Sequence, residues 1–487
     1  MRAPALVFDI GSSSAKAAII ADGEVLRSAS AEYATRFGAA GLVEQDAGDW
    51  WDAVKRVSID LRAPAELSGI VLTGQMQDVI LLDNDGAPVR PVMLYSDTRA
   101  VAQIERIHEL VSPADLAAVT GIEQSAGSLL AKLRWLREHE AGSLERASRL
   151  AFGAADYIGA CMTGNVATDA TTASTTGLWN LSAHALLSDE LLERLELGWL
   201  RPLLPAVVPG GARIGELSEL AAAALQLPAA IPVYLGPGDA GAATIGAGCG
   251  EPGPAYAYVG TSGWVGFSAL EIGQAAAGVL TLAHPRPGRY IQVAPMMTSA
   301  GNLDWLQSIF SERGHEEIIH EALERQPGSL LFLPYLHGER APFDDPFARG
   351  AYIGISASTT GADLWRALLE GLAFAYRHTL SALSPQPPEK LTLIGGGARN
   401  TALNQLFADI IGLPVHLPPD AENAGLHGAL RAVDVMIGFS DNYAIDPAPQ
   451  TQVLRPDRRH HELYQRKYQH FLAAYPALKP LFRQLAS

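Results

Sequence analysis

Asp9-Ile10-Gly11-Ser12-Ser13-Ser14-Ala15-Lys16 is the stretch on which the fold turns. Short apolar runs flank it at residues 5–8 and 17–20, and Asp22-Gly23 is a hairpin turn signal before a third run at 25–29. These runs read as consecutive strands. Gly11 and three hydroxyl residues then form a tight turn whose backbone N–H groups can point at an anion. This is not a Walker A loop, because G-x-x-x-x-G-K-[ST] is absent and a strand follows where a helix should.

A similar arrangement returns at mid-chain. Residues 256–259 read as a strand, Gly260-Thr261-Ser262-Gly263 as a turn, and 264–267 as a second strand. Placing Gly260 over Gly11 puts Thr261 over Ser12, Ser262 over Ser13, and Tyr258 over Asp9. Taken singly, each turn is equally well an ordinary polar hairpin. As a pair they suggest a diverged duplication, each half opening with a loop that can hold phosphate.

The rest of the chain alternates. Helical spacing marks residues 49–61, 98–110, 129–139, 362–381, 401–411, 425–437 and 460–472. Strands are expected at 67–72, 79–82 and 390–394, and 440–455 is a proline-rich loop. The pattern is α/β with mixed sheets.

At 487 residues, and roughly 150 per domain, two or three domains are expected. Hydrophobic residues at 48% and charged ones at 18% allow a large core. The net charge of −16 argues against nucleic acid as a partner. It leaves room for a small anionic ligand held by backbone dipoles. Cys161 and Cys249 are the only cysteines, which excludes a disulfide scaffold and a cysteine zinc site and fits a reducing cytosol. Asp9 comes too early for a signal-peptide core. The most apolar stretch, 220–235, is broken by Pro228 and Pro232, short of the roughly 20 residues a membrane span needs.

Four constellations carry chemistry. Asp9 beside the first turn suits Mg²⁺ escorting a phosphate, or is a solvated strand-end carboxylate. Asp239 follows the kink Gly236-Pro237-Gly238 and is either a helix N-cap or a base on a substrate hydroxyl. Gly395-Gly396-Gly397-Ala398-Arg399-Asn400 follows a strand and lets backbone approach a flat or phosphorylated ligand. Asn400 disfavours a dinucleotide fingerprint, although Asp420 lies where its acidic partner would. Gln75-Met76-Gln77-Asp78 and Tyr95-Ser96-Asp97-Thr98-Arg99 offer amides and carboxylates to a polyol. His460-His461 reads as surface, His378 as core, and Trp50-Trp51 as packing.

In this order and spacing the constellations resemble the FGGY carbohydrate kinase family, closest to its xylulokinase-like members. Residues 9–16 resemble D-x-G-T-S-x-x-K. Leu42-Val43-Glu44-Gln45-Asp46 with Trp50-Trp51 resembles W-x-E-Q-D-P…W-W. Gly74-Gln75-Met76-Gln77 resembles G-Q-M-H, and Lys132-Leu133-Arg134-Trp135-Leu136 resembles K-x-x-W-L. Gly260–Gly263 resembles the second phosphate loop. Leu333 to Pro342 resembles L-P-Y-L-x-G-E-R-x-P, and Ile394 to Arg399 resembles I-G-G-G-A-R.

The resemblance implies two ribonuclease-H-like (actin/hexokinase-type) α/β domains, with mixed sheets, flanking a central cleft. Residues 1–247 would bind sugar, 248–440 would bind nucleotide, and 441–487 would add a loop and helix. It implies ATP-dependent phosphorylation of a small sugar, most simply a pentulose such as D-xylulose, on its terminal hydroxyl. Asp239 would be the base and, with Asp9, would stand at Mg²⁺. Gly11, Ser12, Ser13, Ser14, Lys16, Gly260, Thr261 and Ser262 would serve the phosphates. Gly395, Gly396, Gly397, Ala398 and Asn400 would serve the nucleoside. Gln75, Met76, Gln77, Asp97 and Arg99 would join Asp239 at the sugar. A cytoplasmic homodimer without nucleic-acid or membrane partners is the family expectation. Three positions depart from the pattern: Gln77 replaces His, Ala240 replaces Asn, and Leu129 replaces Pro, Ser or Thr. The first two touch the sugar in the family, which keeps ribulose, glycerol, erythritol or an aldonate open as acceptors. A non-catalytic, actin-like sugar-binding protein is the rival of a different class.

Overall fold

A computed structural model describes residues 3–273, 277–310, 314–383, 388–445 and 450–486. Two large sheets organise the chain. In the first, Ala5–Ile10 pairs antiparallel with Ser14–Ala21, which pairs antiparallel with Glu24–Glu32. On the other side, Ala5–Ile10 runs parallel to Gly69–Gly74, which runs parallel to Pro232–Leu235. Ala212–Glu216 closes that edge antiparallel.

The second sheet repeats this plan. Ala255–Val259 pairs antiparallel with Gly263–Ala269, and that with Tyr290–Met296. Its other edge runs parallel to Leu391–Ile394, then to Val415–Leu417, with Gln452–Leu454 antiparallel outside. Leu280–Ala283 extends the far edge. Six strands thus occupy equivalent places in both sheets, as the paired turns suggested. The turns differ in one detail. Ile10 pairs with Ala15, whereas Val259 pairs with Gly263, so the second loop is one residue shorter.

The central parallel strands are buried on both faces, which is why 5–10 and 69–74 read as nearly unbroken apolar runs. Helix Ala47–Leu61 begins where the Asp46 side chain accepts from the Gly48 N–H at 2.8 Å, and it buries Trp50, Val54, Val57 and Leu61 on the first sheet. Helices Leu129–His139 and Thr401–Ile411 have the expected bounds. The last helix, Arg458–Ala486, runs well past the expected stop and contains Pro476 and Pro480. Part of the proline-rich loop, 446–449, lies outside the described residues.

A smaller sheet positions the site. Met76–Leu82 pairs with Arg149–Gly153 and with Val92–Met93, so residues 75–78 sit at its rim beside the first large sheet. Helix Ala424–Met436 joins the halves. Its Leu426, Ala429 and Val433 pack with Ala5, Val7 and Val71 of the first sheet.

Candidate active site

A cavity of about 410 Å³ opens between the two large sheets. Its wall gathers parts of every constellation, although of the polar stretch 95–99 it takes Tyr95 and not Asp97 or Arg99. Asp9, Gly11, Ser12, Ser13, Ser14 and Lys16 come from the first turn, and Thr261 and Ser262 from the second. Gln75, Met76 and Gln77 come from the rim of the small sheet, Asp239 from its own helix, and Gly395 and Gly396 from the glycine loop.

Each turn is closed by its own backbone. The Gly11 N–H donates to the Ser14 carbonyl at 3.0 Å, and the Gly260 N–H donates to the Ser262 carbonyl at 3.0 Å. Gly260 itself stands behind the cavity wall. Among the described residues, no protein group accepts from the N–H groups of Ser12, Ser13, Thr261 or Ser262. Free amides gathered in turns make an anion nest.

The turns are braced from outside. Tyr33 donates its hydroxyl to the Gly11 carbonyl. Gln45 donates to the Ser12 carbonyl at 2.7 Å and accepts from the Trp50 indole at 2.9 Å. The backbone of 299–301 holds the second turn, with Ser299 and Gly301 donating to Thr261 and Ala300 donating to Gly260.

Asp239 is the first residue of the helix Asp239–Thr244, and Gly238 holds the N-cap place. Its Oδ1 accepts from the Ala240 N–H at 2.7 Å. Burial and the nearby Asp9 charge push its pKa up to about 7, while the Ala240 bond pulls the other way. Asp9 is raised to about 6 by burial, partly offset by Lys16. The Asp9 Oδ1 atom is buried without a hydrogen-bond partner. Mg²⁺ binds through one or two carboxylates and completes its shell with water and phosphate oxygens. An unpartnered carboxylate oxygen facing a second carboxylate fits that donor set. Among the described residues, no group of three or more His, Cys, Asp or Glu forms an all-protein metal cage.

At the end of the cavity beside Asp239, a Cβ on Gly238 would lie 2.1 Å from the Met76 sulfur. The Gly-Pro-Gly kink therefore lets Met76 pack against Gly238, the residue before Asp239. Gln77 takes a left-handed φ of +67°, a costly conformation for a residue with a side chain. Gln75 donates to Gln45 at 3.2 Å, and its own Oε1 is buried without a partner. Opposite stands an apolar wall of Trp264, Leu280, Leu282 and Val293, with Ala240. Trp264 is fixed by an indole bond to the Tyr256 hydroxyl at 2.8 Å and by stacking on Tyr258 at 4.0 Å.

Asp97 and Arg99, expected beside the sugar, lie outside the cavity wall. Asp97 is fully buried, accepts from the Val43 N–H at 2.8 Å, and pairs with Arg99 at 2.6 Å. Arg99 and Arg90 both pair with Glu44, at 2.8 and 2.6 Å. Their charges are spent on one another and leave nothing for a ligand. In the glycine loop, Gly397 and Ala398 fall behind the wall, where Gly397 packs on Val259. The Asn400 side chain caps helix Thr401–Ile411 by accepting from the Leu403 N–H at 2.9 Å. Tyr95 and Arg399, from the quoted stretches 95–99 and 395–400, also line the cavity, as do Thr175, Trp264, Arg340 and Glu422, which were given no role from sequence. Arg340 lay within a quoted motif, and that was its available signal.

Two equivalent sheets, a cleft with paired hydroxyl turns, and a carboxylate poised near neutrality define a phosphotransferase of the actin/hexokinase-like class. The N-terminal domain of the FGGY family of carbohydrate kinases matches residues 5–246, and its C-terminal domain matches residues 255–433. A xylulose kinase of Klebsiella pneumoniae is 30% identical over 485 residues, covering 97% of this chain and 99% of that protein. The crystal structure of a xylulose kinase from Rhodospirillum rubrum superposes with a TM-score of 0.80 at 28% identity, covering 99% of this chain and 100% of that one. A gluconate kinase from Lactobacillus acidophilus shares the fold, with a TM-score of 0.88 at 22% identity over 99% of this chain and 100% of that one. The chain belongs to the FGGY family of carbohydrate kinases and is an ATP-dependent sugar kinase. No helix among the described residues is long and apolar enough to cross a membrane.

Proposed function

We propose that the chain transfers the γ-phosphoryl group of ATP to the terminal primary hydroxyl of a pentulose, D-xylulose first. One observation carries the reading: Asp239, with a pKa near 7, shares a single cavity wall with the sugar rim and both hydroxyl turns. A carboxylate poised near the working pH suits a general base.

The chemistry asks mainly for positioning. Phosphoryl transfer spreads charge over the equatorial oxygens, and fixed N–H dipoles can meet it without reorganising. The amides of Ser12, Ser13, Thr261 and Ser262 receive the phosphate oxygens, with Gly11, Ser14 and Gly260 shaping the turns and Lys16 beside them. Gly395 and Gly396 pass under the nucleoside. Gln75 and Gln77 bond sugar hydroxyls, and the Trp264–Leu282–Val293 wall takes the C–H face. Asp239 accepts the hydroxyl proton. Asp9 and Asp239 would hold Mg²⁺, which when bound supplies charge neutralisation on the phosphates. Residues 1–247 hold the acceptor in this reading, and 248–440 hold the nucleotide.

The relatives include xylulose and gluconate kinases, so the acceptor is the point to test. A coupled ADP assay with D-xylulose, L-xylulose, D-ribulose, glycerol, erythritol and D-gluconate ranks acceptors by kcat/KM. D-xylulose is expected first. A preference for gluconate or glycerol refutes the pentulose reading, and binding without ADP release supports the non-catalytic rival.

A further inference from the structure

Among the described residues, Arg340 presents a guanidinium with no hydrogen-bond partner, and Asp344 is its strongest electrostatic neighbour. Arg340 lines the cavity beside Tyr95, Trp264 and Pro295. Among the described residues, its guanidinium makes no hydrogen bond and no ion pair within 4 Å. The other two cations on the wall are both engaged with Glu422. Lys16 donates to its carbonyl at 3.1 Å, and Arg399 pairs with its carboxylate. A guanidinium has only donors to offer, so a ligand must bring the acceptors.

The position of Arg340 is built, not incidental. Glu339 is buried, and one of its carboxyl oxygens accepts from the Met297 N–H at 2.8 Å and the Arg340 N–H at 2.9 Å. Met297 leads into the 299–301 segment that braces the second phosphate turn. Glu339 thus ties the backbone of Arg340 to the turn that receives phosphate.

Tyr95 is held with similar care from the first half. Its N–H donates to the buried Asp78 carboxylate at 3.0 Å. The buried Lys132 ammonium donates to the carbonyl of the preceding Leu94. Tyr95 shares the cavity wall with Ser12, Asp239 and Arg340, and the phenol lies within the electrostatic reach of both Asp239 and Arg340. The two residues therefore reach one cavity from opposite halves, on the same wall as Asp239 and the first turn.

We propose that Tyr95 and Arg340 form a positioning pair that spans the two halves and orients the acceptor sugar against Asp239. The proposal rests on the sugar-kinase reading of the cavity. A ketose offers the guanidinium hydroxyl and carbonyl oxygens, and the phenol fixes the side of the acceptor nearest Ser12. Because each half supplies one member, the acceptor is fully held only when both halves face it.

The test uses the full chain, MgATP and the best acceptor of the panel above. Arg340→Lys keeps the charge and loses the fork, and Tyr95→Phe removes only the hydroxyl. Each is expected to lower kcat/KM for the acceptor at least about 10-fold, with KM for ATP within about twofold. The double variant loses less than the product of the two, as coupled residues do. Acceptor-independent ADP release rises relative to acceptor-dependent release. Glu339→Ala, which removes both amide bonds, lowers acceptor kcat/KM as well. Unchanged acceptor kcat/KM in both single variants overturns the pair. So does a fully multiplicative double variant, or an effect confined to KM for ATP. These outcomes are separate from the fate of the pentulose reading, which fails if the best acceptor is another class of compound. If no acceptor releases ADP, both fail together.

Discussion

Gly428 sits where the halves meet, and replacing it tests how tightly the base is placed. It lies in helix Ala424–Met436, and a Cβ there would stand 1.8 Å from the Ala242 carbonyl oxygen and 2.6 Å from the Gly246 nitrogen. Both are backbone atoms of the segment that begins at Asp239, so no side-chain rotation relieves the clash. Reaching an ordinary contact of 3.4 Å requires a retreat of about 1.6 Å. The contact is reciprocal, since a Cβ on Gly246 would lie 1.7 Å from the Ala424 carbonyl oxygen. Overpacking of this kind costs about 1–3 kcal/mol, and clashing backbones place Gly428→Ala at the upper end. Misplacing a reacting group by 1 Å can cost about 10²-fold in rate. Gly428→Ala is therefore expected to lower Tm and to lower kcat by about 10- to 100-fold. Gly142→Ala, with open space around its new Cβ, is the control that changes neither. Thermal melting and the coupled ADP assay read both variants. Wild-type kcat and Tm in Gly428→Ala would refute the claim that this seam sets the position of Asp239.

Three further outcomes follow from the site. In the free enzyme, kcat/KM for the acceptor should fall as pH drops below about 7, because Asp239 then carries the proton it must accept. Asp9→Asn removes the like charge that helps raise Asp239, so the midpoint of that profile moves to lower pH; an upward or absent shift contradicts the coupling. Gln45→Ala frees the Ser12 carbonyl and should lower kcat/KM for ATP about 10-fold, read by ATP titration at saturating acceptor. Glu44→Ala leaves Arg99 with Asp97 and Arg90 with Glu140 as their remaining partners, and should cost about 1–3 kcal/mol in denaturant unfolding. The folded fraction of that variant keeps its acceptor KM, because Asp97 and Arg99 do not reach the cavity.

The local signals in the sequence were the durable ones. Glycine and hydroxyl residues between short apolar runs announce the turns at Gly11 and Gly260, since few other structures accommodate that spacing. The Gly-Pro-Gly kink before Asp239 and the glycine loop at 395 were legible for the same reason. The direction in which a polar side chain turns was not legible. Asp97 and Arg99 follow a strand end like Gln75 and Gln77 do, yet Asp97 folds back on the Val43 N–H and Arg99 on Glu44, partners more than fifty residues away. Tyr95 and Arg340 come to one cavity wall only through the tertiary fold, 245 positions apart, and no periodicity links them. Leu280, Leu282 and Val293 alternate as any half-buried strand does, so nothing local marks them as a cavity wall. The E-Q-D stretch shows how one motif divides its labour. Glu44 anchors the arginines, Gln45 braces the phosphate turn, and Asp46 caps the helix.

The central claim is that Asp239 takes the proton of a pentulose hydroxyl while the paired turns hold the phosphates. Acceptor-dependent ADP release with D-xylulose and MgATP, compared between the wild type and Asp239→Asn, tests it most directly. The account predicts that the variant loses at least about 10²-fold in kcat while KM for ATP stays near the wild-type value. Near-wild-type turnover in Asp239→Asn would contradict it.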